Sequence, residues 1–350
     1  MNTVTVKASK DYTVFIDSGL HQDAGKYAAA LGAPGKAVII SDSNVWPLYG
    51  NIINDSLVAA GFQVYHYVFP AGERSKNGET YFYILNYLAQ QQITRSDILV
   101  ALGGGVVGDI TGFVAATYLR GIAYMQIPTT LLAMVDSSVG GKTAIDLPAG
   151  KNLVGAFYQP SAVLCDVDAL STLPDQIFRD GCAEVIKYGI LYDESLFEHL
   201  NTHKMDFDRK MVITRCIELK RNVVADDEFD RGARQKLNLG HTIGHGIEAK
   251  SNFSISHGQA VAAGLAIVSK AAYQTGICEK EVYDKIIVIL QQFKLPIGTQ
   301  HNEEELFDAM ISDKKRTGNT IILIVPRRIG ECIIHNTAVD SLKSFIKAGL

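Results

Sequence analysis

Three histidines lie within seventeen residues of one another: His241, His245 and His257. Neutral imidazole is the commonest protein ligand for zinc and similar metals, so this cluster is the clearest indication of chemistry in the sequence. His241 and His245 are four residues apart and would share one face of a helix, as in HExxH metalloproteases. Thr242 stands where that motif has its glutamate, however, and nearby glycines weaken a helix. The residues alone leave open which histidines bind a metal and which are core histidines with satisfied hydrogen bonds.

An open catalytic metal site needs a third protein ligand. Glu184 is a good candidate, because it lies in an apolar segment at 181–186, where a carboxylate needs a partner. The alternative for Glu184 is a salt bridge to Lys187, three residues further along a helix.

A glycine-rich segment, GGGVVGD at 103–109, follows a predicted buried strand and precedes a predicted helix. Glycines let the backbone approach a phosphate closely, and a helix N-terminus supplies amide donors and a positive dipole. The spacing is not that of GxGxxG, so a simple tight turn remains the alternative. Asp42, at the end of an earlier predicted strand, is placed to accept hydrogen bonds from a ribose hydroxyl.

The segment Gly140-Gly141-Lys142-Thr143 is similar to part of a phosphate-binding P-loop. That motif requires a glycine five residues before Gly141, and Asp136 occupies the position. A P-loop nucleotidase is therefore excluded, and the alternative is that Lys142 faces a substrate anion.

Composition limits the class of protein. The chain has 350 residues, 47% of them hydrophobic, and a formal net charge of -4, which gives no general attraction to nucleic acid or to an anionic membrane. Its five cysteines show no CxxC spacing, so we expect reduced, mostly buried thiols and a cytoplasmic protein. The first residues lack the features of a signal peptide, and no apolar run is long enough to span a membrane.

The order of predicted elements indicates an α/β fold followed by a helical region. Strands are predicted at 4–6, 12–16, 37–40, 64–68 and 98–102, with a helix at 81–90. Alternation of buried strands and helices is typical of a parallel sheet. Helical periods follow at 174–191, 195–203, 211–225, 258–275 and 281–293, and a late hairpin is predicted at 321–325 and 332–334. We place the domain boundary near residue 168, which divides the chain into 1–167 and 168–350.

Together these motifs resemble the 3-dehydroquinate synthase family of the sugar phosphate cyclase superfamily, over residues 41–330. The segments that carry the resemblance are GGGVVGD at 103–109, PTTLLAMVDSSVGGKTAID at 128–146, GKNLVGAFYQP at 150–160, GCAEVIKYG at 181–189, LNLGHTIGHGIE at 237–248, HGQAV at 257–261 and DKK at 313–315. Departures from the family pattern are Gln176-Ile177 in place of Arg-Glu, and Gln259 in place of glutamate.

The resemblance implies an N-terminal Rossmann-like NAD-binding α/β domain and an all-α C-terminal metal-binding domain, usually in a homodimer. It implies conversion of 3-deoxy-D-arabino-heptulosonate 7-phosphate to 3-dehydroquinate and phosphate, a step towards chorismate and the aromatic amino acids. The reaction combines transient oxidation by NAD, β-elimination of phosphate, re-reduction and an intramolecular aldol. The alternatives are another sugar phosphate cyclase, or a metal-dependent polyol dehydrogenase of similar fold, which would release NADH.

The resemblance also implies residue roles. The metal, zinc or cobalt, is assigned to Glu184, His241 and His257, so His245 becomes a substrate-facing residue. NAD is assigned to Asp42, Asn44, Glu73, Lys76, Gly104, Gly105, Val106, Asp109, Thr129, Thr130, Lys142, Lys151 and Thr172. The sugar acid phosphate substrate is assigned to Asp136, Lys142, Asn152, Lys187, Lys220, Arg234, Asn238, His245 and Lys314, with Arg120 reaching a phosphate across the dimer interface.

Overall fold

The computed structural model describes residues 1–251, 254–312, 316–317 and 319–350. The chain forms two compact units: one contains Met1–Leu173 and Arg209–Phe229, and the other contains Pro174–Asp208 and Asp230–Leu350. No helix in the described part of the chain is both long enough and apolar enough to cross a membrane.

The strands and helices have the following bounds. The strands are β1 Asn2–Val6, β2 Tyr12–Asp17, β3 Lys36–Asp42, β4 Gln63–Phe69, β5 Ile98–Gly103, β6 Ala123–Pro128, β7 Lys142–Leu147, β8 Gly150–Phe157, β9 Ala162–Asp166, β10 Arg316–Thr317, β11 Thr320–Arg328 and β12 Glu331–Ala338. The helices are α1 Ala24–Ala29, α2 Trp46–Ala59, α3 Gly78–Gln90, α4 Gly105–Thr117, α5 Asp175–Tyr192, α6 Glu194–His203, α7 Arg209–Asp226, α8 His241–Lys250, α9 His257–Gln274, α10 Lys280–Gln292, α11 Glu303–Ser312 and α12 Val339–Gly349.

The first unit is built on a seven-stranded sheet in the order β1-β2-β9-β6-β5-β3-β4. Its strands are parallel except for the antiparallel pair β1–β2, and this pair confirms the strands predicted at 4–6 and 12–16. Apolar runs such as Ile98–Gly103 are buried throughout, as expected for a strand covered on both faces. Asp42, Gly103 and Pro128 end three neighbouring strands, so their carboxyl ends meet at one edge of the sheet. Ligands of open α/β sheets bind at this edge.

A small antiparallel hairpin, β7–β8, packs on α4 in the same unit. Gly112 makes this packing possible, because a Cβ at its position would lie 2.4 Å from Cγ2 of Thr143. The hairpin has a bulge between Ile145 and Leu147, so that Asp146 stands at an irregular point of the ladder.

In the second unit, α5, α8 and α9 pack against one another at unusually short range. A Cβ on Gly258 would lie 2.2 Å from the carbonyl oxygen of Asp180, and one on Gly264 would lie 2.0 Å from that of Gly240. Only glycine permits backbones to approach this closely. The same contacts fix where the first residues of α8 and α9, His241 and His257, lie relative to α5.

The second unit is helical but not all-α, and the prediction of an all-α domain is wrong in this respect. β10, β11 and β12 form an antiparallel three-stranded sheet. Its main pair is the late hairpin predicted from the sequence, which is confirmed. Ile321, Leu323 and Val325 of β11 are buried, and Gly330 turns the chain with φ +83°.

The two units divide the chain differently from a single boundary near residue 168. The first unit continues to Leu173, because the carboxylate of Asp166 accepts the backbone N–H of Asp168 and holds the next turn, in which Ala169 and Leu170 are buried. Helix α7 also belongs to the first unit. Its Thr214 accepts a hydrogen bond from Asn2 at 3.0 Å, and its Lys210 pairs with Asp17 at 2.7 Å.

Candidate functional site

Three helices bring a carboxylate and two imidazoles to one point in the second unit. Oε1 of Glu184, on α5, lies 3.3 Å from Nε2 of His241 and 3.5 Å from Nε2 of His257. One ligand atom from each residue lies within 4.8 Å of the others. Nδ1 of His241 lies 3.1 Å from the carbonyl oxygen of Leu239, which can hold that proton and leave Nε2 for a metal.

The electrostatics at Glu184 and His241 favour the forms of these two residues that bind a cation. Glu184 is 0% exposed, and neither carboxylate oxygen makes a well-oriented hydrogen bond in the described residues. Burial alone would raise the pKa of Glu184, but Lys187 and His241 outweigh it and hold the pKa well below its usual range. Burial lowers the pKa of His241 to about 4, so this imidazole is neutral near pH 7. One buried carboxylate and two imidazole nitrogens that converge on it, with His257 partly exposed, fit one divalent cation.

Glu184 contacts the partners that both sequence-based alternatives require: the histidines of a metal site and the lysine of a salt bridge. Its other oxygen, Oε2, forms an ion pair with Nζ of Lys187, one helical turn further on. Lys187 is itself buried, so the Glu184 carboxylate is paired with an ammonium on one side and faces two imidazoles on the other.

His257 has a second acidic neighbour. Its Nδ1 lies 3.5 Å from Oε2 of the buried Glu248, on α8. Burial would lower the pKa of His257, but the contacts with Glu184 and Glu248 outweigh it and raise the pKa to about 10. Sequence reasoning missed Glu248, although it lies three residues after His245 on the same helix, a spacing that places the two on one face.

His245 occupies a different position from the other two histidines. It groups with Glu248 and His257 as a possible set of donors, whereas Glu184 groups with His241 and His257. The rings of His241 and His245 are 5.5 Å apart and nearly perpendicular. The i, i+4 pair suggested by the spacing is therefore not the pair that meets Glu184.

The remaining candidates of the second unit lie close to these helices in the chain. Arg234 and Asn238 belong to the 3-10 turn Ala233–Asn238, immediately before Gly240 and α8. Arg234 is 1% exposed, and the side-chain amide of Asn238 donates to the carbonyl oxygen of Gln235. Lys314 lies outside the described residues.

In the first unit, the glycine-rich segment forms the predicted link between β5 and α4. Gly103 ends the strand, Gly104 stands at the helix cap, and α4 begins at Gly105, with Val106 in its first turn. A Cβ on Gly104 would lie 3.1 Å from Cγ2 of Thr130. A cradle this tight, with helix amides at its base, fits a phosphate of a dinucleotide.

Charged residues surround this loop. Nζ of Lys76 donates to Oδ2 of Asp109 at 2.5 Å and to Oδ1 of Asn152 at 2.6 Å. Burial would lower the pKa of Lys76, but Asp109 and Glu73 outweigh it and raise the pKa. Nζ of Lys151 lies 3.3 Å from Oε1 of Glu73. Four of the predicted cofactor residues therefore form two ion pairs.

Three other predicted cofactor residues, Asp42, Asn44 and Thr129, make local contacts. Oδ1 of Asp42 accepts the backbone N–H groups of Asn44 and Val45, at 2.8 and 3.0 Å, which fixes the loop after β3. The backbone N–H of Thr129 donates to the carbonyl oxygen of Gly103 at 3.0 Å.

The side chains of the two other threonines are held in place. Oγ1 of Thr130 caps the next turn by accepting the N–H of Ala133. Oγ1 of Thr172 lies 2.5 Å from the hydroxyl of Tyr49, a neighbour that sequence reasoning missed.

Apart from Asn152 in β8, the predicted substrate residues of this unit occupy three places. Nζ of Lys220, on α7, donates to the carbonyl oxygen of Asp136 at 2.7 Å and pairs with its carboxylate. Lys142 is exposed at the start of β7. Arg120 is exposed after the far end of α4, a helix of 13 residues and hence about 20 Å long, so it lies far from Gly104.

Comparison with known proteins gives a consistent result. A family model described as 3-dehydroquinate synthase N-terminal matches residues 66–180, and one described as 3-dehydroquinate synthase C-terminal matches residues 181–316. The chain is 42% identical to the 3-dehydroquinate synthase of Pelobacter propionicus, over 98% of each chain.

Two solved structures share the fold at 25% identity and a TM-score of 0.89. One is 2-deoxy-scyllo-inosose synthase complexed with carbaglucose-6-phosphate, NAD+ and Co2+, with 100% of both chains covered. The other is the 2-epi-5-epi-valiolone synthase of Streptomyces hygroscopicus subsp. jinggangensis with NAD+ and Zn2+ bound, with 99% of this chain and 97% of that chain covered. Because both family models and a relative of nearly equal length agree, this chain belongs to the 3-dehydroquinate synthase family.

Proposed function

We propose that this chain converts 3-deoxy-D-arabino-heptulosonate 7-phosphate to 3-dehydroquinate and phosphate, with NAD and one divalent metal ion as cofactors. The observation that carries the proposal is the convergence of Glu184, His241 and His257 within 4.8 Å. It occurs in a chain 42% identical to a 3-dehydroquinate synthase over almost the whole length.

Glu184, His241 and His257 would hold the metal. When bound, a divalent cation such as zinc or cobalt supplies Lewis acidity, which orients substrate hydroxyls and favours their deprotonation. The side chains prepare this site, because Lys187 keeps Glu184 ionised and Glu248 lies against Nδ1 of His257.

The first unit is the proposed NAD-binding domain. NAD supplies the hydride acceptor, which is regenerated within one turnover. Gly104, Gly105 and Val106 would present backbone N–H groups to its pyrophosphate at the start of α4. Asp42, Asn44, Glu73, Lys76, Asp109, Thr129, Thr130, Lys142, Lys151 and Thr172 are the proposed side-chain contacts.

The substrate carries a carboxylate and a phosphate, and the chain as a whole is acidic, so local cations must bind them. In the second unit we assign this role to Lys187 and Arg234, with Asn238 as a neutral donor. The ring of His245 would hold or release a proton at a substrate hydroxyl. In the first unit, Lys142 and Lys220 would attract the anionic groups, with Asp136 orienting Lys220 and Asn152 contacting substrate polar groups. Lys314 is proposed from the sequence alone.

A homodimer is proposed on the position of Arg120. Its place beyond the far end of α4 separates it from the glycine-rich loop of its own chain, which supports a role at the phosphate of a neighbouring subunit. A cytoplasmic location is proposed on the cysteines, since all five are buried thiols outside any disulfide.

One assay tests the reaction. Purified protein with metal, heptulosonate phosphate and a catalytic amount of NAD should release phosphate over many turnovers without net NADH. Absence of phosphate release would contradict the proposal. Release only from another sugar phosphate would instead indicate a different cyclase, and stoichiometric NADH from a polyol would indicate a dehydrogenase.

A further inference from the structure

Three hydrogen bonds join Lys76, Asp146 and Asn152 in a closed ring. The backbone N–H of Asp146 donates to the carbonyl oxygen of Lys76 at 2.8 Å. Oδ1 of Asp146 accepts the backbone N–H of Asn152 at 2.7 Å. Oδ1 of Asn152 accepts from Nζ of Lys76 at 2.6 Å. The ring connects the segment before α3 to both strands of the β7–β8 hairpin, which is distant from that segment in sequence.

Asp146 is the member of this ring that has no assigned role. It stands at the bulge of the β7–β8 hairpin, where the regular ladder is interrupted, and it also makes a parallel bridge with Asn77. A bulge changes the direction of a side chain, and here the Asp146 carboxylate faces Asn152 in the same hairpin and accepts its backbone N–H.

Asn152 needs this support because its backbone is left-handed, with φ +56°. Asparagine tolerates the left-handed backbone conformation better than most residues do. The conformation is still strained, so surrounding contacts must stabilise it. The carboxylate of Asp146 supplies such a contact at the backbone N–H. Asn152 in turn fixes the direction of the Lys76 ammonium, because that group donates to Asn152 and Asp109 together.

We propose that Asp146 is a positioning residue, which acts through Asn152 to aim Lys76 at NAD. This inference rests on the proposed cofactor role of Lys76. An ammonium has three N–H donors, and the described contacts direct two of them, at Asp109 and Asn152. Once those two are fixed, the direction of the third is fixed as well, and a ligand phosphate or hydroxyl can accept it. If only the carboxylate of Asp146 is removed, the backbone N–H of residue 146 can still donate to the carbonyl oxygen of Lys76. Asn152, however, is no longer held in place against the Lys76 ammonium.

The test measures NAD+ binding by calorimetry for Asp146→Ala, Asp146→Asn and the control Leu147→Ala. Leu147 is exposed and follows Asp146 in the same hairpin, so the control reports the effect of trimming the hairpin alone. Asp146→Ala should weaken NAD+ binding about tenfold, whereas Asp146→Asn keeps an oxygen acceptor and should stay within about threefold of the parent. Wild-type binding by Asp146→Ala would overturn the proposal. An equal loss in both Asp146 variants would also overturn it, because charge rather than geometry would then matter.

A double-substitution cycle with Asn152→Gly separates positioning from a general structural effect. Glycine keeps the left-handed backbone but removes the side chain that meets Lys76. If Asp146 acts through Asn152, adding Asp146→Ala to Asn152→Gly should leave NAD+ affinity unchanged. A further tenfold loss would contradict the inference, even if Asp146→Ala alone folds poorly.

Phosphate release by the parent protein distinguishes this inference from the proposed function. If the parent binds NAD+ and shows the expected variant series but releases no phosphate, the positioning role stands and the proposed reaction fails. If it releases phosphate and the variants bind NAD+ alike, the reaction stands and the positioning role fails. A parent that does not bind NAD+ would overturn both.

Discussion

Oε2 of Glu248 lies 3.5 Å from Nδ1 of His257, on the ring nitrogen that does not face Glu184. A carboxylate behind a metal-binding imidazole orients the ring and increases its basicity, and its removal typically costs a factor of 10 to 100 in metal affinity. Glu248 is buried, so this contact is shielded from solvent.

We therefore expect Glu248→Gln to weaken binding of the catalytic metal by about tenfold or more. Competition with a chromophoric chelator would measure the dissociation constant. Glu281→Gln is the control, since Glu281 is exposed on α10 and pairs only at the surface with Lys285. Equal metal affinity in the two variants would show that Glu248 does not support His257.

Replacement of the histidines should separate ligand from substrate-facing residue. His257→Ala removes a nitrogen that lies 3.5 Å from Glu184, so the purified variant should lose its metal. His245→Ala should retain metal close to one ion per chain and lose kcat by about a factor of 100 or more, as expected for a proton-transfer group. Elemental analysis beside the phosphate-release assay measures both. The reverse pattern, with metal lost from His245→Ala and kept by His257→Ala, would make our ligand assignment wrong.

The sequence predicts most of the site residues by type but not how they meet. The spacing of His241 and His245 suggests a metal-binding pair on one helix. The structure begins a helix at His241 and another at His257 instead, so that both residues meet Glu184 from helix N-termini. Packing among α5, α8 and α9, of which α5 is far from the other two in sequence, creates this arrangement. The spacing of residues along the chain cannot predict it.

Local patterns predict elements well where the pattern itself drives folding. The runs at 321–325 and 332–334 predict the late hairpin, and the run at 98–102 predicts a buried strand. The glycines near His241 indicate a weak helix, yet α8 is a helix, because tertiary contacts override propensity. The ring through Asp146 joins three segments, and its register follows from a bulge that no local pattern reveals.

Gly264 should be intolerant of even one methyl group. Its ideal Cβ lies 2.0 Å from the carbonyl oxygen of Gly240, which is backbone and cannot move aside cheaply. Gly264→Ala should destabilise the second unit by about 1–3 kcal/mol or more and lower its metal content, since α8 and α9 carry two of the proposed ligands. Denaturant unfolding would measure the loss.

The matched control for that variant is Gly246→Ala, in the neighbouring helix α8. Its ideal Cβ meets its nearest neighbour, Cγ of Met310, at 3.5 Å, which is ordinary contact. Alanine is the better helix former, so Gly246→Ala should leave stability unchanged or slightly raised. Similar destabilisation in both variants would show that the Gly264–Gly240 approach is not a specific constraint.

His21 should make stability depend on pH. Burial lowers its pKa and outweighs the nearby Asp166, whose Oδ2 lies 3.6 Å from Nδ1. The unfolded chain then binds a proton more readily than the folded one, so this stability is present above the unfolded pKa of about 6.5 and is lost as pH falls below it. The loss of folding stability approaches about 1.4 kcal/mol per pH unit between the folded and unfolded pKa values.

The variant His21→Phe keeps a ring against Tyr49 and removes the titrating imidazole. Its thermal midpoint should fall less than that of the parent between about pH 7.5 and about pH 5.5. Equal falls in the two proteins would show that His21 does not control acid stability.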